Sequence, residues 1–581
     1  MHSISCAPST DNAMSPRSGR QSWLAPALVL ALSIGASLPV VVNGLVQDDV
    51  PIIVQNPAVH QLSTIPVHFR QPYWPMPYSP DLYRPLSSTL FTLEWVVSHG
   101  RYWFFHGMSV ALYAAVCLAV FQLSRRLLPP RAALGAAALF AVHPVHVESI
   151  APAVNQSELV AALCVILAVC EYLDWRATGA ARSGKLVAIF TATYAGACLF
   201  KESAIVLPGL LATAELTLVR DPRPLSARVR QLWPLAIALA LTGAGFIALR
   251  TSVLGSLAGT FTAEVFRGLS SGQRALTMLG VVPEWARLFI WPAHLQADYS
   301  PQEIIGETSW GLGQTVGLAI LAPIAILTLT GIRRHAVASF GILWAAIAIL
   351  PVSNLLVPTG IALAERTLFL PSVGVALALG AGLAAIAVRL DGAAPRIRLA
   401  ALAALVLLVL AGAARSAVRY RIWHDTLTFT QRTVEDAPTS YRARAALGEV
   451  MFFLRQKKTG ELLLREAIRL YPDGYVTYQI LADHYRLADL CAPAMPLYHR
   501  ALELAPKAAD VRASLIACQL HVADYQGARD TAGDGVAERV WPAMFRGFER
   551  TADSARVAAA APGTVRVKIP ESAAARVVAR P

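Results

Sequence analysis

Eleven apolar runs constrain this chain more than any other feature. They cover residues 23–42, 103–124, 132–142, 158–174, 186–200, 203–219, 233–249, 311–330, 337–351, 367–388 and 399–414. A helix needs about 20 mostly apolar residues to cross a bilayer. Most of these runs are close to that length; 132–142 is short unless its neighbours extend it. Composition points the same way. Charged residues make up 15% of the chain and the mean hydropathy is +0.49, whereas a soluble domain carries about 25% charged residues.

The net charge of +13 could suggest nucleic acid, but the basic residues gather in short loops. Arg125, Arg126 and Arg131 follow the second run, and Arg176, Arg182 and Lys185 the fourth. Arg220, Arg223, Arg228 and Arg230 follow the sixth; Arg333 and Arg334, then Arg389, Arg396 and Arg398, mark later turns. That is the positive-inside pattern of a membrane protein, and no nucleic-acid partner is expected. Placing these loops in the cytoplasm gives about eleven alternating spans. The segment 276–292, with Pro283, Glu284 and Arg287, is read as a re-entrant or interfacial helix on the outer side. Residues 1–22 are expected to be a disordered cytoplasmic N-terminus, and the first run a retained anchor rather than a cleaved leader.

The same alternation sends five loops to one non-cytoplasmic face: 43–102, 143–157, the junction at Lys201, 250–310 and 352–366. They hold most of the unusual polar residues. Four of the seven cysteines, Cys117, Cys164, Cys170 and Cys198, lie in apolar runs, and no CxxC pair occurs. Neither a disulfide framework nor a thiolate metal site is expected.

Past Arg415 the pattern becomes polar and periodic. Pro438, Pro472 and Pro506 recur every 34 residues, as do Leu447, Leu481 and Leu515, and Ala467 and Ala501. Thirty-four is the tetratricopeptide period, each repeat a pair of antiparallel helices. The expected fold is therefore all-α: a polytopic membrane helix bundle with a C-terminal tetratricopeptide-repeat solenoid. Residues 23–415 form the membrane domain, 416–540 the repeats and 541–581 a partly disordered tail.

Several polar groups on the shared face can carry chemistry. Asp48 and Asp49 follow the first run; a carboxylate pair there is either solvated or a general base or metal ligand in a cleft. His143, His146 and Glu148 end the third run and could bind a metal or hydrogen-bond within a cleft. Lys201 and Glu202 interrupt the apolar pattern; charges there are paired at an interface or functional. Glu365 and Arg366 open the tenth run, where a guanidinium suits a phosphate or a headgroup. Arg84, Asp298 and Tyr299 add weaker signals.

Taken in order, "QDDVPIIVQNPAV", "YRPLSSTLFTLEW", "FAVHPVHVESIA", "LFKES", "LFIWPAHLQADYS" and "LPVSNLLVPTGIALAERTLFLPSVG" resemble one family. It is the transmembrane and tetratricopeptide-repeat-containing O-mannosyltransferases, polytopic glycosyltransferases of the C superfamily. The resemblance covers roughly residues 23 to 520. It implies an inverting transfer of a sugar, mannose in the family, from a polyprenyl-phosphate-linked donor at a non-cytoplasmic membrane face. Its acidic pair maps onto Asp48 and Asp49, one of them the base. "VNQSELVAA" departs from the family pattern, with Glu158 available for the acidic role. Arg366 and Lys201 are the candidates for the phosphate. The repeats would present an acceptor polypeptide or glycan. A divalent metal is possible but not specified. The Ala/Arg-rich composition points to a bacterial inner membrane with a periplasmic active face. Two other classes stay open: a transporter or flippase of a lipid-linked substrate, which would place polar residues deep in the spans, and a non-catalytic scaffold that binds through its repeats.

Overall fold

The computed structural model describes residues 21–78, 81–178, 184–256 and 262–560. The expected N-terminal segment and most of the tail lie outside the described residues. Among the described residues the chain is helical, without strands.

The membrane part contains α1 (Gln21–Ser37), α2 (Pro85–Ser98), α3 (Tyr102–Leu127), α4 (Pro130–Ala141), α5 (Gln156–Thr178), α6 (Gly184–Phe200) and α7 (Leu207–Thr217). It continues with α8 (Leu225–Leu254), α9 (Ser271–Ile290), α10 (Leu312–Thr330), α11 (Ala336–Ile349), α12 (Phe369–Leu390) and α13 (Pro395–Tyr420). Each expected run forms a helix, though not all are equally long. Seven are long and apolar enough to cross a membrane, those built on α1, α3, α5, α8, α10, α12 and α13. An eighth arises if α4 and the turn Pro144–Ile150, bent by 47°, act as one. The bend falls at Pro144, whose ring cannot continue a helix. The helices α6, α7 and α11 are shorter. The segment 276–292, expected to be re-entrant or interfacial, lies mostly in α9, which carries Pro283 and is not one of the long spans.

Packing fixes α12, and with it the site. A Cβ on Gly341 would lie 2.4 Å from the carbonyl oxygen of Gly374, and one on Gly374 would lie 2.2 Å from that of Gly341. The two backbones touch there, which only small residues permit. Trp344, fully buried, donates its indole N–H to the Leu370 carbonyl at 2.9 Å across the same contact.

The basic loops end the helices away from the polar face. Arg176 there bridges Glu215 (2.8 Å) and Asp221 (2.7 Å), and Arg228 joins Glu215 at 2.8 Å. The network clamps α5, α7 and α8.

After α13 come eight helices: α14 (Thr426–Asp436), α15 (Tyr441–Phe453), α16 (Lys457–Leu470), α17 (Tyr475–Leu487), α18 (Cys491–Leu504), α19 (Ala509–His521), α20 (Tyr525–Ala537) and α21 (Pro542–Ala560). The starts of α15, α17 and α19, at 441, 475 and 509, recur every 34 residues, as do those of α16, α18 and α20 at 457, 491 and 525. Successive pairs stack into a solenoid. Cys491 and Cys518 form a disulfide between α18 and α19, which corrects the expectation of none. Their 27-residue separation belongs to the repeat geometry and has no CxxC signature.

Candidate active site

Asp48 and Asp49 lie in the turn that follows α1. That turn is held from outside: Asn43 Nδ2 donates to the Tyr420 carbonyl at 2.9 Å, and the Gly44 amide to that of His424 at 2.8 Å. The end of α13 thus anchors the segment after α1. The two aspartates then diverge. Asp49 is fully buried, and its two oxygens accept the amides of Ala153 (3.0 Å) and Val154 (2.9 Å). These are orphan donors at the start of the helical segment leading into α5, where a carboxylate also meets the positive end of the helix dipole. Burial pushes Asp49 up to about 7 against the pull of those amides. Asp48 is half-buried, and among the described residues its carboxylate accepts no hydrogen bond. Burial raises its pKa above the ordinary value, Arg366 draws it back, Glu148 pushes it up and Arg84 draws it back again.

Arg366 and Arg84 act on Asp48, and Lys201 stands beside Arg84 and Glu202; each of the three cations has its own carboxylate. Arg84 grips Glu202 through two bonds, Nε to Oε2 at 2.9 Å and Nη2 to Oε1 at 2.6 Å. Lys201 Nζ is 2.7 Å from Glu158. Arg366 pairs with Glu148 through Nη1, and its backbone amide donates to the same carboxylate at 2.9 Å. The pairing crosses the sequence: adjacent Lys201 and Glu202 bind other partners. Burial alone would raise Glu202, but Arg84 and then Lys201 hold it at about 2. Burial lowers Lys201 while Glu158 opposes that. Arg366 keeps Nε and Nη2 without an acceptor among the described residues, and its side chain is 24% exposed. It is the cation best placed to take an incoming anion.

The remaining candidates sit farther out. Glu365 accepts the Gln296 amide at 2.5 Å and the Tyr299 hydroxyl at 3.2 Å, so Tyr299 braces the start of α12. Asp298 faces the repeats instead: it accepts the Ser440 hydroxyl at 2.6 Å, beside Glu303, which accepts Thr439 Oγ1 at 2.6 Å. His143 and His146 are not brought to this group by any contact. His143 Nε2 meets the Phe289 carbonyl at 3.0 Å and Nδ1 accepts Val145 N at 3.3 Å. His146 lies between Tyr113 Oη (3.0 Å) and Ser372 Oγ (2.8 Å). Both ring nitrogens of each histidine are used in packing. Among the described residues no group of three or more His, Cys, Asp or Glu is placed to hold a metal ion.

Sequence reasoning missed three neighbours. Tyr73 lies under the Arg84 guanidinium, whose Cζ is 5.3 Å from the ring centroid. Glu94 and Gln156 form a buried pair at 3.2 Å, and burial raises Glu94 to about 8, with Asp49 adding to the shift. Tyr73 stands in "QPYWPMPY", where it is one aromatic among several; Glu94 falls within a helical pattern. Neither had a spacing that would single it out.

Chemically, this is an unpartnered carboxylate facing an under-used guanidinium, in a site walled by ion pairs. Such a carboxylate can take a proton, and such a guanidinium can bind an oxyanion.

No family model matches the chain. It is 25% identical over 358 residues to protein O-mannosyl-transferase TMTC3 of Mus musculus, covering 57% of this chain and 39% of that protein. It is 26% identical over 506 residues to protein O-mannosyl-transferase TMTC1 of Homo sapiens, covering 79% and 57%. It is also 26% identical over 462 residues to protein O-mannosyl-transferase TMTC4 of Mus musculus, covering 69% and 60%. The chain thus spans about two fifths to three fifths of the length of these relatives. These relatives are all named protein O-mannosyl-transferases, and the chain is similar to them over 57% to 79% of its own length.

Proposed function

We propose that this protein is a membrane glycosyltransferase that moves a sugar, mannose by its relatives' names, from a polyprenyl-phosphate donor to a protein or glycan hydroxyl. The observation that carries the reading is the contrast within the acidic pair. Asp49 is spent on two backbone amides, while Asp48 is unpartnered and lies within the field of Arg366.

In this mechanism Asp48 is the base. It takes the acceptor's hydroxyl proton as that oxygen forms a bond to the anomeric carbon. The bond from that carbon to the phosphate oxygen breaks, and the phosphate leaves with the electron pair toward Arg366, backed by Lys201. A fixed cation aimed at developing charge contributes on the order of 3 kcal/mol in comparable sites. One displacement inverts the anomeric configuration. Asp49, Glu148, Glu158 and Glu202 orient the reacting groups and do not react.

Residues 23–415 carry the transfer and 416–540 hold the acceptor, since helical-repeat solenoids offer extended concave surfaces. The bonds from Ser440 to Asp298 and from Thr439 to Glu303 support docking of the repeats on the polar face. The Cys491–Cys518 disulfide supports a non-cytoplasmic, periplasmic position for that face, because disulfides persist in oxidising compartments. The test is transfer by the purified full chain in nanodiscs, from labelled polyprenyl-phosphate mannose to a Ser/Thr-rich peptide. Wild type should label the peptide and Asp48→Asn should not. A wild type inert with this donor, or an active D48N, would overturn the reading.

A further inference from the structure

Tyr73 is a buried tyrosine, 4% exposed, whose hydroxyl has no hydrogen-bond partner among the described residues. Burying a hydroxyl unpaired costs about 1–3 kcal/mol, a cost that phenylalanine of the same shape avoids. Tyr73 belongs to the same buried cluster as Ile52 and Ile53, just after the acidic pair, and Val154, whose amide holds Asp49. Arg84 covers the ring. Tyr73 therefore forms a wall of the Asp48 site.

Its surroundings select the ligand. Asp48, Asp49 and Glu202 all act on the phenol, and the cation that covers its ring, Arg84, is already occupied by Glu202. That field repels an anion and favours a neutral hydroxyl. Burial keeps the phenol protonated, hence a donor.

The segment that carries Tyr73 is held at its other end by the repeats. Trp541, just before α21, donates its indole N–H to the Tyr78 carbonyl at 2.7 Å. Trp541 is itself packed with Val540 and Phe545 at the end of the solenoid. The repeats thus grip the membrane part at both ends, through Ser440 and its neighbours at the first pair and through Trp541 at the last.

We propose that Tyr73 donates its hydroxyl to a substrate hydroxyl held at Asp48, and that Trp541 positions the segment bearing it. This rests on the glycosyltransferase reading above. The hydroxyl belongs either to the sugar ring of the donor or to the acceptor.

The experiment uses the full chain in nanodiscs with polyprenyl-phosphate mannose and a Ser/Thr peptide, comparing wild type, Tyr73→Phe and Trp541→Phe. Y73F should lower kcat/KM by about 10- to 100-fold, the loss of one hydrogen bond within an ionic site. Its unfolding temperature should equal or exceed that of wild type, which a merely structural hydroxyl would not give. A KM increase confined to the donor assigns the sugar ring hydroxyl; one confined to the peptide assigns the acceptor. W541F, which keeps a ring but loses the N–H, should shift the same constant by a smaller factor. An active wild type with an unchanged Y73F would overturn the Tyr73 contact alone. An unchanged W541F beside an impaired Y73F would overturn the Trp541 role. An inert wild type would overturn this inference together with the reading it rests on.

Discussion

Lys201 and Glu158 meet at 2.7 Å with side chains only 11% and 4% exposed, although 43 positions of sequence separate them and Lys201 has an adjacent glutamate. Removing one partner of a buried pair leaves an uncompensated charge and costs about 3–5 kcal/mol. Glu158→Gln should therefore lower stability by roughly that amount, measured by thermal or denaturant unfolding in detergent. The double variant Lys201→Met with Glu158→Leu should be close to wild type in stability while losing transfer activity. An E158Q protein as stable as wild type would show that the pair does not form.

The acidic pair separates fold from chemistry. Asp48→Asn should leave the unfolding temperature unchanged and reduce transfer at least 1,000-fold, on the order expected for loss of a general base. Asp49→Ala should do the reverse first: it strands the Ala153 and Val154 amides and costs about 2–4 kcal/mol. Unfolding and transfer measured on both variants decide the assignment. A destabilised D48N with normal turnover would exchange the two roles.

The legibility of this chain followed the physics. Apolar length and the 34-residue period are local signals, and α3, α5, α10 and the α15–α20 pairs lie where they are expected. The convergence of Asp48, Arg84, Lys201 and Arg366 was legible only as a shared face inferred from loop parity. Their partners were not. Lys201 pairs with Glu158 and Glu202 with Arg84 because of helix packing, which spacing does not encode. Asp298 was selected as a binding residue by its motif, yet it faces Ser440. Tyr73 passed unnoticed because burial without a partner is a property of three dimensions. Cys491 and Cys518 met for the same reason.

Acidity should affect catalysis through Asp48 and stability through Asp49. Burial lifts the Asp48 pKa above the ordinary carboxylate value, and Arg366 offsets only part of this. A base must be ionised, so kcat/KM should fall on the acid side at a pH above the ordinary aspartate value of about 4. Asp49 is raised to about 7. The folded state then holds a proton that the unfolded state has released, so this group's stabilisation is complete below about pH 4 and is lost as the pH rises through about 7. Asp49→Asn should flatten that slope in unfolding titrations between those values. An acid limb at or below pH 4 in the wild-type rate profile would remove the buried-base assignment.

The disulfide offers a test of the compartment as well as of stability. Cys491 and Cys518 close a loop of about 27 residues between α18 and α19, and cross-links of that length stabilise by about 3 kcal/mol. In membranes isolated with thiols blocked, a mass tag for cysteine should label these two positions only after reduction. Labelling before reduction would place the repeats in a reducing compartment and contradict a periplasmic face. Cys491→Ser with Cys518→Ser should lower the unfolding transition of the solenoid. The Asp298–Ser440 docking contact lies at the first helix pair, remote from α18 and α19, but α19 shares the cluster that holds Trp541, so the double variant should raise the KM for a peptide acceptor and shift the donor KM no further than Trp541→Phe does. A matched rise in both constants would mean that the solenoid supports the membrane site itself rather than the acceptor.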